Sequence, residues 1–316
     1  MLEIFQEIDQ AQLNFSASGK QVLNTTIAFI MFGVALELTL KDFKDLLQKP
    51  KPALVGVLSQ FVLMPLLTFL IVIAIHRFIS PTIGMGMILV SACPGGNVSN
   101  FISSLAKGNI ALSVSLTAVS SLGGIIMTPF NFAFWGGLYL KVIESKQSEL
   151  VQNLTIDVWE VLQTIGFILA LPLVIGMLMR HYQPDFTNRI LTGVKHFSLF
   201  IFIGIIVAIF SSNVELFMKY ILYIFGIVLI HNALAFTLGY QTARAFKLKL
   251  QDRKTISIET GIQNSGLALA LLFNPAVFPA DIAIGGMAFI AAWWGVWHIM
   301  AGLSLAGYWT RVQNDD

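Results

Sequence analysis

The sequence predicts an all-α polytopic membrane protein of about nine transmembrane helices, arranged as an inverted repeat. Three observations predict it. The charge content is too low for a water-facing surface, the apolar residues gather into long spans, and two spans are broken by polar residues at matching places. The 316 residues hold 19 Lys+Arg, 17 Asp+Glu and 25 Phe, and 56% are hydrophobic. A soluble domain of this length carries about 79 charged residues. So few charges suit a chain whose outer surface meets lipid. They exclude a soluble enzyme, a disordered protein and a nucleic-acid binder, since the net charge of +2 includes no basic cluster suited to phosphates. The single Cys93 excludes an internal disulfide and a cysteine metal cage. The opening residues, MLEIFQEIDQ, lack a basic n-region and an apolar h-region, so no cleaved signal peptide is expected.

In order, the apolar spans run roughly over 21–40, 52–75, 82–106, 109–138, 157–179, 196–213, 220–243, 254–278 and 282–309. Crossing a hydrocarbon core of about 30 Å takes ~20 helical residues, and most of these spans supply them. With the N-terminus outside, alternate loops place Lys20, Arg77, Lys141, Lys146 and Lys219 outside and the other 14 of the 19 basic residues inside. That bias predicts a multi-pass protein of the cell (inner) membrane, with its N-terminus outside and its C-terminus cytoplasmic.

The third span carries Pro94, Gly95 and Gly96 near its centre, followed by Asn97, Ser99 and Asn100. Proline removes a helix donor and glycine costs about 1 kcal/mol of helix propensity, so the helix should unwind there. The eighth span is interrupted by Glu259, Thr260, Gly261, Gln263, Asn264, Ser265 and Gly266. If spans one to four match spans six to nine, the third and eighth correspond with opposite topology. Paired interruptions of this kind point to a transporter's binding site, because half-helix ends expose unpaired N–H and C=O groups.

Glu259 is the one acidic residue well inside a span. It lies five residues past Lys254, or about 7.5 Å along a helix. Glu37 lies at the inner end of the first span, and Asp157, Glu160 and Asp281 lie near outer ends. A carboxylate at depth is costly unless paired and is functional by default. A bound cation would supply the missing charge; protonation or a partner from another span would also relieve it. The fourth span carries Asn109, Ser113, Thr117 and Ser121 on one face, with Ser120 beside it. Their oxygens suit a hard cation, and such residues also serve as packing glue between membrane helices. Gln60 stands alone in the second span. His231, Asn232 and His298 either line a cavity or bond across helices, and Trp293, Trp294 and Trp297 face either lipid or that cavity.

SACPGGNVSN (91–100), ALSVSLTAVSSL (111–122) and ETGIQNSGLALAL (259–271) resemble signature segments of the bile acid:sodium symporter family, as do IMFGVALELTLKDF (30–43) and SQFVLMP (59–65). The resemblance runs from about residue 20 to the C-terminus. It implies a single membrane transporter domain over 1–316, with two crossing broken helices in a core domain and a mobile panel domain. The core would span roughly 82–138 and 220–309, and the panel roughly 21–75 and 157–213. It implies two sodium sites. The first would use Ser99, Asn100, Ser113, Thr117 and Glu259. The second would use Gln60, Glu259 and Gln263 with the backbone carbonyls of Thr260 and Ile262, so Glu259 would bridge both. Asn97, Asn264 and His298 would face the substrate. The chain departs from the family at Asn97, where close relatives often carry Thr, and at Ile299, where bacterial relatives often carry Asn.

The expected function is Na⁺-coupled symport of an organic anion, a bile acid or pantoate-like carboxylate, into the cytoplasm by alternating access. The expected partners are that anion, sodium ions and membrane lipid, with no nucleic acid, and the chain is read as a monomer. One alternative is a proton-coupled carrier in which Glu259 titrates. Another is an intramembrane enzyme, against which stands the lack of a paired-aspartate prenyltransferase motif, an HExxH motif and a nucleophile–base pair.

Overall fold

The computed structural model describes residues 7–8, 17–36, 39, 50–96, 98–144, 158–274, 277–278, 282 and 284–314. These residues are almost all helical, and among them there is no strand. The helices are α1 (Ala17–Ala35), α2 (Pro50–Ile75), α3 (Pro81–Ala92), α4 (Ser99–Leu105) and α5 (Ile110–Glu144). They continue with α6 (158–182), α7 (Pro184–Ser212), α8 (Val214–Ala245), α9 (Leu250–Gly261), α10 (Ser265–Leu272) and α11 (Gly285–Asn314). Glu37, Asn97, Asp157 and Asp281 lie outside the described residues, as does the side chain of Glu160.

Among the described residues, four stretches are long and apolar enough to cross a membrane: Pro50–Ile75, Ile110–Ile143, Met218–Ala245 and Gly285–Val312. The shortest has 26 residues, about 39 Å at 1.5 Å per residue. Their outward faces are apolar, with Leu222 80% exposed and Leu70, Ile126 and Phe130 also open. Such surface is stable against lipid and costly against water. The protein is a membrane protein.

The broken spans fall where the sequence places them. Pro81 starts α3 behind an N-cap at Ser80, whose hydroxyl accepts from Ile83 N–H at 3.4 Å. The helix is buried on every side and ends at Ala92, just before Pro94. Glycine lets helices close on one another. A methyl group at Gly86 would lie 2.7 Å from Met287 Cα on α11, and one at Gly239 would lie 2.6 Å from the Ile256 carbonyl on α9.

One feature departs from expectation. α9 begins at Leu250, so Lys254 lies inside the helix and not at its inner end. Asp252 accepts from Asn109 Nδ2 at 2.7 Å, and the buried Lys254 donates to the Ala106 carbonyl at 3.0 Å above the Trp309 ring. These partners let Asp252 and Lys254 of the polar start LQDRK be buried. Glu259 is therefore nine residues into its helix, about 14 Å. α2 packs against α3, α5, α8 and α9, and α1 packs against α6, α7 and α10. The polar face around Gln60 draws α2 toward the broken helices.

Two π-helical turns interrupt the long helices, at Ser59–Leu63 in α2 and at Gly166–Ala170 in α6. A proline follows each, Pro65 and Pro172. Its missing N–H and its ring disturb the preceding turn of helical hydrogen bonds.

Candidate functional site

The two broken helices meet at their breaks. Gly95 and Gln263 form an isolated antiparallel bridge. Gly96 N–H donates to the Ile262 carbonyl at 2.8 Å, and Asn264 N–H donates to the Pro94 carbonyl at 2.9 Å. Each unwound segment thus satisfies the other's backbone, the condition for non-helical chain at membrane depth. The crossing needs glycine at its closest point. A methyl group on Gly95 would lie 3.2 Å from Glu259 Oε2, and one on Gly96 would lie 3.1 Å from the Gln263 carbonyl oxygen.

Glu259 sits beside this crossing, 5% exposed. Its Oε1 accepts from Ser99 Oγ at 2.7 Å, from Ser113 Oγ at 2.5 Å and from Thr117 Oγ1 at 3.4 Å. Thr117 Oγ1 also lies 3.3 Å from Oε2. Asn100 Oδ1 is 2.9 Å from Ser113 Oγ and 3.1 Å from Thr117 Oγ1. All five residues expected at the first site therefore converge. They come from α4, α5 and α9, three elements that only tertiary packing unites. The partners of the carboxylate are neutral hydroxyls, so hydrogen bonds solvate its charge without cancelling it. Carboxylate, hydroxyl and amide oxygens are the donor set of a hard cation. Among the described residues no three His, Cys, Asp or Glu converge as a softer metal would need.

The second expected set is also assembled. Gln60 Nε2 donates to Gln263 Oε1 at 2.8 Å and to the Cys93 carbonyl at 3.0 Å. Gln263 Nε2 donates to the Thr260 carbonyl at 2.8 Å, and the Ile262 carbonyl is the one that accepts from Gly96. Glu259 and Gln60 line one small cavity together with Gly56, Leu116 and Ser120. The hydrogen bonds of Glu259 fall on the first set. Two neighbours were not singled out from sequence. Ser59 Oγ lies 2.8 Å from Thr260 Oγ1, and Asn131 Nδ2 donates to the Phe61 carbonyl at 3.0 Å.

The residues expected to face the substrate are not gathered in this way. Asn97 lies outside the described residues. Asn264 caps α10, its Oδ1 accepting from Leu267 N–H at 3.0 Å. His298 is buried, and among the described residues its Nδ1 has no hydrogen-bond partner. Asn109 departs from the hydroxyl stripe and bonds to Asp252 and Thr255. His231 bonds across helices, with Nε2 2.7 Å from Thr68 Oγ1. The one hydroxyl proton of Thr68 goes to the Met64 carbonyl at 2.9 Å, so His231 is the donor to Thr68. Its ring stands edge-on to the buried Trp294. Asn232 Nδ2 holds the Gly261 carbonyl at the end of α9, at 2.8 Å.

Comparison with known proteins finds similarity over most of the chain. The sequence model of the Sodium Bile acid symporter family matches residues 25–220. The sodium-dependent transporter YocS of Bacillus subtilis is 34% identical over 289 residues, covering 90% of this chain and 82% of that protein. A probable chloroplastic sodium/metabolite cotransporter, BASS2 of Oryza sativa subsp. japonica, is 31% identical over 84% of this chain and 62% of its own length. The P3 protein of Homo sapiens is 31% identical over 76% of this chain. The aligned part is about half of that human protein, at 48%.

Proposed function

Since the chain belongs to the sodium bile acid symporter family, whose members are sodium-dependent transporters and not enzymes, we propose that it is a secondary active carrier that couples inward Na⁺ flow to uptake of an organic anion. The observation that carries this reading is the ring of oxygen donors around Glu259, a buried carboxylate whose partners bring no positive charge. One monovalent cation would balance it, and a second would be balanced by the negative charge of the anion carried with it. One would sit among Ser99, Asn100, Ser113, Thr117 and Glu259. The other would sit between Glu259 and the Gln60–Gln263 pair, with the carbonyls of Thr260 and Ile262. The anion, a bile acid or pantoate-like carboxylate, would lie on the side of the crossing near Asn97, Asn264 and His298.

The proposed topology is nine spans in the inner membrane, N-terminus outside and C-terminus cytoplasmic, with the two broken spans related by an inverted repeat. The proposed panel is α1, α6 and α7. The region 50–75, which the sequence groups with the panel, moves into the proposed core because of its packing partners. Transport would proceed by rocking of one body against the other, driven only by the difference in ligand affinity between the two states.

A screen of organic anions by thermal shift, with Na⁺ present or replaced by K⁺ or choline, tests the reading. A ligand that binds the folded state raises its apparent stability. The expected result is an anion that stabilises the protein, and is taken up by proteoliposomes, only with Na⁺. Anion binding and uptake undiminished without Na⁺ would contradict coupling, and uptake that follows the pH gradient and ignores Na⁺ would select the proton-coupled carrier.

A further inference from the structure

Gln60 reaches Gln263 from within a π-helical turn, and the cause of that turn can be followed residue by residue. In an uninterrupted α-helix the N–H of residue 65 would bond to the carbonyl of residue 61. Residue 65 is proline and has no N–H. Phe61 is buried, so its freed carbonyl cannot turn to water. Met64 N–H reaches back five residues to the Ser59 carbonyl, which closes the wider turn. A π turn accommodates one extra residue, so side chains before it are turned by about 100° from where a continuous helix would put them. The orphaned Phe61 carbonyl is taken by Asn131 Nδ2, at 3.0 Å, from a buried position on α5. The same helix carries Ser113 and Thr117, and a methyl group at its Gly123 would lie 3.3 Å from the Phe61 ring. One helix therefore supplies ligands to the Glu259 cluster and holds the bulge that aims Gln60.

We propose that Asn131 is a positioning residue for sodium binding: by holding the carbonyl that Pro65 orphans, it fixes the π turn and keeps Gln60 directed at Gln263. This rests on the sodium reading above. A partner that orients a ligand typically changes metal affinity by about 10–100-fold.

The test is a titration of the purified full-length chain with sodium chloride alone, against choline chloride at constant ionic strength, read by thermal shift or tryptophan fluorescence. Asn131→Leu keeps the bulk and removes the donor. It is expected to weaken sodium affinity by about tenfold, and Asn131→Leu combined with Gln60→Ala should be no weaker than Gln60→Ala alone, because the two act through one contact. Pro65→Ala gives the Phe61 carbonyl a partner within its own helix. The pair Pro65→Ala with Asn131→Leu should therefore recover sodium-free stability while sodium affinity stays low, and it serves where the single variant does not fold. Wild-type sodium affinity in Asn131→Leu or in that pair overturns the proposal. A wild-type protein that ignores sodium overturns the sodium reading itself.

Discussion

Replacing Glu259 by glutamine is expected to abolish the stabilisation of the protein by sodium without lowering its stability in sodium-free buffer. The two halves of this result have separate causes. A carboxylate that pairs with a bound cation in a dry site is one partner of a buried charge pair. Removing one such partner costs about 3–5 kcal/mol, and each factor of ten in affinity is about 1.4 kcal/mol. Sodium affinity should thus fall by two or more orders of magnitude, about a hundredfold at least. Without sodium the carboxylate is a buried charge held by Ser99, Ser113 and Thr117. Glutamine removes that charge and keeps an oxygen for these hydroxyls to donate to. The sodium-free melting temperature should stay level or rise. A thermal-shift titration with sodium chloride checks both halves. A wild-type sodium response in Glu259→Gln would remove Glu259 from both proposed sites.

Gly95→Val is expected to disable the site by steric means and to destabilise the fold as well. Gly95 pairs with Gln263 where the two breaks cross, and a first methyl group would lie 3.2 Å from Glu259 Oε2 and 3.5 Å from Ser120 Oγ. Valine adds two further methyl groups in the same direction. Overpacking of a close-packed interior costs about 1–3 kcal/mol. The chain must either separate the crossing, which breaks the bonds Gly96–Ile262 and Asn264–Pro94, or push Glu259 away from its hydroxyls. Either response removes the sodium effect, and the sodium-free melting temperature should drop, in contrast to Glu259→Gln. Gly95→Ala should fall between, because an atom at 3.2 Å needs a shift of only a few tenths of an ångström. A Gly95→Val protein with wild-type stability and sodium response would show that the crossing tolerates bulk and is not the close-packed centre described.

Much of this was legible in the sequence because a lipid-facing chain leaves few positions for polar residues. Pro94–Gly96 and Glu259–Gly266 mark the breaks by composition alone: the first lies between α3 and α4, and the second contains the unwound residues 262–264 between α9 and α10. The spacing of Ser113 and Thr117 places them on one face of α5, where they meet Glu259. Spacing does not say which neighbour a face will meet. Asn109 shares the periodicity of Ser113, yet at the end of the helix it bonds to Asp252. Nor does hydropathy locate the start of α9, because its polar first turn is solvated by Asn109 and the Ala106 carbonyl, both distant in sequence. The side on which α2 packs is likewise a tertiary fact. The π turn had a local signal, Pro65 four residues after Phe61 in SQFVLMP. Its consequence depends on Asn131, 70 residues away, and cannot be read until α5 is in place.

The most direct test of the account is equilibrium binding of radioactive sodium to the purified full-length protein and to Glu259→Gln. Two saturable sodium ions per wild-type chain are expected, with both lost in the variant, since the proposal has one carboxylate serve both. A wild-type chain that binds no sodium saturably, or a variant that keeps both ions, would contradict it.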